Sequence, residues 1–215
     1  MTTLTLYELY EKMYAEMGPQ GWWPADSKIE IIVGAILVQN TNWNNVGKSL
    51  ANIKKATSFD ANKIAGLDRD ELIEFIRPSG FYKNKSKAIL GVFQWLSDHN
   101  YDFKQIKQQY GENLRKELLN LHGVGDETAD VLLLYVFDVS VFIADNYARK
   151  LFAALGQPLF KNYRDLKKRI KNFEQFTLAE AQEFHGLIDE FGKISLKNEH
   201  DFQSSFLAGY SLTLN

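Results

Sequence analysis

Apolar residues recur at helical spacing along almost the whole chain, and this periodicity limits the possible folds more than any other feature. Leu4, Leu6, Tyr7, Leu9, Tyr10, Met13 and Tyr14 fit one stripe of a first helix, which Gly18 and Pro19 stop. Ser27 and Glu30 have capping-box spacing and open a helix through Val38. That helix carries Ile29, Ile31, Ile32, Val33, Ala35, Ile36 and Leu37, is apolar all round, and so belongs at the centre of a core. Further amphipathic stretches run over about 44–56, 68–76, 82–99, 114–121, 128–136, 147–155, 164–173 and 178–191. Asp68 and Glu71 again have capping-box spacing, and Arg77-Pro78-Ser79-Gly80 is a stop signal. Val139-Ser140-Val141-Phe142-Ile143 is the one β-like run, short and without a partner. The expected class is all-α.

At 215 residues, 45% hydrophobic and 13% aromatic, the chain can bury a real core in one large domain or two lobes. It has no cysteine, which excludes disulfides, thiolate zinc sites and a cysteine-ligated iron–sulfur cluster. The start does not read as a signal peptide, and no window approaches the roughly 20 apolar residues of a membrane span. A soluble cytoplasmic protein without a membrane partner is expected. The net charge of −2 is unusual for a nucleic-acid binder, but local patches decide such contacts. Three clusters qualify: Lys83, Lys85 and Lys87; Lys48, Lys54 and Lys55; Arg115 and Lys116. Each also fits a plain solvated helix face.

Leu121-His122-Gly123-Val124-Gly125-Asp126-Glu127-Thr128-Ala129 lies between two of the helices. Glycines two apart permit positive φ and close backbone approach, and they leave first-turn amides of the next helix able to meet an anion. A phosphate suits that geometry. Gly-x-Gly alone is more often a simple helix connection.

The surroundings change that balance. Leu-x-Gly-Val-Gly-x-x-Thr-Ala, matched at Leu121, Gly123, Val124, Gly125, Thr128 and Ala129, resembles the helix-hairpin-helix DNA glycosylase superfamily that contains endonuclease III. His122 stands where proline is usual. Ile143-Ala144-Asp145-Asn146-Tyr147-Ala148-Arg149 is similar to the family's catalytic-aspartate segment, Ala35 to Thr41 to its glutamine-terminated helix, and Gly80 to Ala88 to its Gly-aromatic-Tyr-x-x-Lys-Ala stretch. The ordered motifs cover roughly residues 20–155. The resemblance implies a two-lobed helical fold, with a six-helix lobe over 26–137 and a second lobe formed by 1–25 with 138–215. It further implies a cleft that takes a flipped nucleotide, with Asp145 at its mouth. Gly123, Val124, Gly125 and Thr128 are then the expected contacts to the DNA backbone, and Gln39 the residue that fills the vacated duplex gap.

Departures from the family pattern narrow the reading. Bifunctional members carry a Schiff-base lysine where this chain has Glu127, and a carboxylate cannot form an imine. Lack of the lysine and of the cluster cysteines resembles the endonuclease III-like 3-methyladenine glycosylases. Trp22-Trp23-Pro24, Gln39-Asn40-Thr41-Asn42-Trp43, Arg77 to Tyr82 and Phe184-His185-Gly186 are similar to segments of that subgroup, although Leu187 stands where a relative has lysine. The implied substrate is a cationic alkylated purine in double-stranded DNA. Trp22, Pro24 and Trp43 would form its pocket, since an indole face attracts a cation. Trp22 and Trp43 equally suit core-edge and helix packing, Gln39 a helix-end hydrogen bond, and Asp145 a helix N-cap. A packed histidine is the simpler reading of His185. No organic cofactor, metal or iron–sulfur cluster is expected, a monovalent cation on hairpin carbonyls is compatible with the family, and a monomer is expected. A glycosylase for another lesion or mismatch, or a DNA-binding module without catalysis, stays open.

Overall fold

The computed structural model describes residues 2–214, which form helices, connecting loops and one pair of three-residue strands. Strand β1 (Thr2–Leu4) and helix α1 (Leu6–Met17) come first. Helices α2 (Lys28–Leu37), α3 (Trp43–Thr57), α4 (Ala61–Ala65) and α5 (Arg69–Ile76) follow. Next are α6 (Tyr82–Asp98), α7 (Phe103–Tyr110), α8 (Leu114–Asn120) and α9 (Asp126–Tyr135). Then come α10 (Asn146–Ala154), α11 (Tyr163–Lys167), α12 (Leu178–Ser195), α13 (Glu199–Gln203) and β2 (Tyr210–Leu212). The chain forms two units, a central one over Ala25–Phe137 and a terminal one joining Met1–Pro24 to Asp138–Asn215. The class is all-α.

In the central unit α2 is the core helix, buried from Ile31 to Leu37 and packed on α3, α6 and α9. Ser27 caps it by accepting the Glu30 amide at 3.2 Å. The Glu30 carboxylate answers one residue early, on the Asp26 amide at 2.9 Å, so the reciprocal box expected at Ser27 is displaced. At the other end Lys85, only 4% exposed, donates to the carbonyls of Leu37 (2.8 Å) and Ser79 (2.7 Å). A buried ammonium thus satisfies a C-terminal carbonyl of α2 and pins it to the turn after α5. Burial pulls that ammonium below the usual lysine range. Lys85 therefore belongs to the interior and not to a surface cluster.

In the terminal unit α12 packs on α1, α10 and α13. Thr5 with Glu8, and Thr177 with Glu180, form reciprocal capping boxes at the starts of α1 and α12. The Tyr7 hydroxyl donates to Glu180 at 2.7 Å and ties the two helices. Aromatic rings fill the core between them: Phe176 stacks on Phe173 and Phe184, and Phe142 meets Phe152, Phe173 and Phe184. The run Val139–Ile143 is no strand. It is a loop whose Phe142 and Ile143 enter this core, which explains its apolar character without a ladder.

The strand pair lies at the chain ends, parallel, with Thr2, Thr3 and Leu4 opposite Tyr210, Ser211 and Leu212. Leu4 is thus a strand residue and not part of the first helix. α11 is shorter than the spacing over 164–173 suggests, because Arg169 and Ile170 close three-residue turns on Leu166 and Lys167 and Asn172 is left-handed. α7 carries one buried residue, Ile106, too weak a stripe to stand out in the sequence. Among the described residues no helix is long and apolar enough to cross a membrane.

Candidate active site

Two buried residues, Ile143 and Ala144, bring the chain out of the terminal core directly before α10, so that Asp145 becomes the N-cap of that helix. Its Oδ1 accepts the Ala148 amide at 2.7 Å. Its Oδ2 lies 3.8 Å from His185 Nε2, and both side chains are about one-tenth exposed (11% and 9%). Helix α12 presents His185, Asp189 and Lys193 four residues apart, hence on one stripe. Lys193 Nζ reaches Asp189 Oδ2 at 2.5 Å and Glu190 Oε1 at 2.7 Å. Burial pushes the Asp189 carboxyl up; Lys193 and His185 pull it back and the Asp145 carboxylate adds to the rise. Burial draws Lys193 down, but its two carboxylate partners more than offset this and hold it above the usual lysine range.

Trp22 lies against this stripe. Its ring stacks on Trp23 (centroids 5.5 Å apart, planes at 19°) and on His185 (6.2 Å, 25°). Lys193 Nζ sits 5.1 Å from its ring centroid. The approach needs a glycine at 186, where a Cβ would overlap the indole. Glu183 holds the preceding loop by accepting the amides of Gln20 and Gly21. Pro24 is exposed, and Leu187, two residues off the His185 stripe, is fully buried. Asp145, Trp22 and His185 thus come together within one unit. The sequence reading missed Asp189 and Lys193, whose signal was a titratable residue at every fourth position of α12 beside glycines 186 and 192.

The hairpin joins α8 to α9 in the central unit. Gly123 has φ +79° and a Cβ there would lie 2.5 Å from that of Ala88, so both conformation and space require glycine. Gly125, the N-cap of α9, has no side chain with which to cap the first-turn amides. Gly123 and Gly125 are exposed, whereas Val124 and Thr128 are buried, each at 6%. The Val124 amide is engaged, donating to Leu121 O at 3.1 Å, and the Thr128 hydroxyl accepts from Gln39 at 3.0 Å. Both side chains pack into the hairpin. Arg115 is locked inside the motif, between Asp130 (2.8 Å) and Asp126 (3.0 Å), and Lys54 pairs with Asp26 at 2.7 Å. Glu127 is exposed on the first turn of α9.

Gln39 donates to Gly123 O and Thr128 Oγ1, both at 3.0 Å, and so is tied to the hairpin. The carbonyls of Gly123 and Leu121 each accept one hydrogen bond, from Gln39 and from the Val124 amide. Trp43, half-buried, opens α3 behind its Asn42 cap. Phe81, unremarked in the sequence beyond its motif, is 65% exposed and left-handed (φ +47°). It lines a cavity of about 120 Å³ with Gln39, Asn40, Asn84 and Gly123. Among the described residues no group of three or more acidic or histidine side chains is placed to hold a metal.

Residues 33–175 match the HhH-GPD superfamily of base excision DNA repair proteins, and the chain belongs to that family. It is a DNA glycosylase of base excision repair. A Methanocaldococcus jannaschii protein named as a DNA repair glycosylase is 36% identical over 191 residues, 87% of each chain. The Helicobacter pylori 3-methyladenine DNA glycosylase, solved with 1,N6-ethenoadenine, superposes with a TM-score of 0.72 at 30% identity, over 91% of this chain and all of that one. A trapped endonuclease III–DNA intermediate has a TM-score of 0.72 at 20% identity, over 88% and 85%, a likeness of fold.

Proposed function

We propose that the protein is a monofunctional glycosylase that hydrolyses the N-glycosidic bond of an alkylated purine, 3-methyladenine first, in double-stranded DNA and leaves an intact abasic site. The observation that carries this reading is the Asp145 carboxylate, buried beside His185, on which stacks an indole whose ring meets a cation, Lys193. A purine alkylated at nitrogen is positively charged and leaves readily, so the barrier lies mainly in the oxocarbenium sugar. A desolvated carboxylate stabilises that cation and orients the attacking water. We assign Trp22 as an electron-rich face that attracts the cationic base. Phe81, apolar and exposed beside Gln39, suits a wedge inserted between base steps, with Gln39 released from the hairpin to fill the gap. The likeness to the H. pylori enzyme supports the substrate class.

Glu127 supports the monofunctional assignment, because it cannot form the imine that strand cleavage requires. The decisive assay is chromatography of free bases released from alkylated duplex DNA, with Asp145→Asn as control. Release of 3-methyladenine by the wild type alone is the expected result. Release of only neutral bases such as uracil would overturn the substrate, and borohydride trapping of a covalent enzyme–DNA adduct would overturn the monofunctional assignment.

A further inference from the structure

We propose that His185 is a positioning residue for Asp145, its imidazole holding Oδ2, the carboxylate oxygen that the helix cap does not engage. The inference rests on Asp145 carrying the reaction. The Ala148 amide holds Oδ1 at 2.7 Å, one point of attachment. A carboxylate fixed at one oxygen can still turn about Cβ–Cγ, a broad torsion that a single hydrogen bond does not lock. The second oxygen meets His185 Nε2 at 3.8 Å, beyond hydrogen-bond length, so the hold is electrostatic, in a site both side chains share with little water.

The imidazole is itself held. Trp22 stacks on it with planes 25° apart, and the backbone at Gly186 presses on the same indole. One turn further on, Asp189 is near enough to Asp145 for the Asp145 carboxylate to oppose its charge. Lys193 clamps Asp189 at 2.5 Å and so keeps that second anion from dominating the site. His185 is then the stripe member that faces the reacting carboxylate, with Lys193 balancing the charge behind it. Orientation of this kind matters because a misplacement of about 1 Å can cost roughly 100-fold in rate.

The test separates ring from donor. His185→Phe keeps an aromatic on Trp22 and removes the N–H; His185→Gln keeps an N–H and removes the ring. Single-turnover release of 3-methyladenine should slow about 10- to 100-fold in the Phe variant, while affinity for duplex containing an abasic analogue stays unchanged. The Gln variant should recover most of the rate. Wild-type speed in the Phe variant, or equal slowing in both, would overturn the positioning role. Should the Phe variant not fold, His185→Leu gives the same comparison with Gln. Asp145→Asn is run in parallel: if it retains full turnover, the assignment of Asp145 itself fails, an outcome distinct from failure at His185.

Discussion

Asp145 is the N-cap of α10 and, on the proposed function, also the buried anion of the reaction, and substitution separates the two. Asparagine caps as well as aspartate, so Asp145→Asn should unfold at nearly the wild-type temperature, bind an abasic-analogue duplex and release no base. Asp145→Ala should be equally inactive and also lose about 1 kcal/mol of stability by thermal melting. If the asparagine variant turned over at the wild-type rate, the charge would not be what the reaction uses. Asp189 supplies a pH signature. Burial raises its carboxyl in the folded state, so the folded protein binds this proton more tightly than the unfolded chain does. Its contribution to stability is therefore most favourable in acid and declines as pH rises from the ordinary aspartate value through the raised one. Urea midpoints of Asp189→Asn against wild type should show the variant gaining relative stability across that interval. A constant difference would contradict the assignment.

At the scale of elements, the hairpin's two glycines are not equivalent. Gly123 has positive φ and no room for a Cβ against Ala88, so Gly123→Ala should destabilise the α8–α9 connection by about 1–3 kcal/mol. Gly125 has ordinary φ and open space, so Gly125→Ala should fold normally yet bind DNA of any sequence less well, by crowding the backbone where a phosphate would approach. Denaturation and abasic-analogue binding, measured on both variants, distinguish these outcomes; equal loss of stability in the two would refute the distinction. Arg115 belongs to the same element. It joins α8 to the fully buried Asp130 of α9, so Arg115→Met should cost about 2–4 kcal/mol, nearer the lower figure because the arginine is one-third exposed. An unchanged melting temperature would show the pair to be dispensable.

For the whole molecule, the balance of charge sets how DNA is held. The net charge is −2, and each basic cluster read from the sequence loses a member to an internal partner: Lys85 to two carbonyls, Lys54 to Asp26, Arg115 to two aspartates. Lys83, Lys87, Lys48, Lys55 and Lys116 remain in those clusters to neutralise phosphates, and on the proposed function the hairpin would add neutral amides, which release no counterions. The logarithm of the DNA-binding constant should accordingly fall with that of salt concentration with a slope of only about −2 to −4, between roughly 50 and 200 mM. A slope near zero would remove the phosphate contacts altogether, and one near −8 would mean a basic surface other than the clusters weighed above.

The sequence by itself determined the all-helical class, because apolar residues three and four apart can be buried together only on a helix. α2, apolar all round, had to be central. The ordered motifs likewise carried the hairpin, Asp145 and the family, since each depends on residues close together in the chain. Which cations are spoken for was decided only by tertiary structure. Lys83, Lys85 and Lys87 read alike along the sequence, yet Lys85 alone turns inward, where two carbonyls meet it from separate segments. The same holds for the burial of Val124 and Thr128 within the hairpin. It holds most of all for the group around Asp145. His185, Asp189 and Lys193 lie 40 to 48 residues beyond it, and Trp22 lies 123 residues before it. No local pattern records that proximity, because it arises from α12 packing between α1 and α10, where a desolvated charge settles only where a partner or a hydrogen bond meets it.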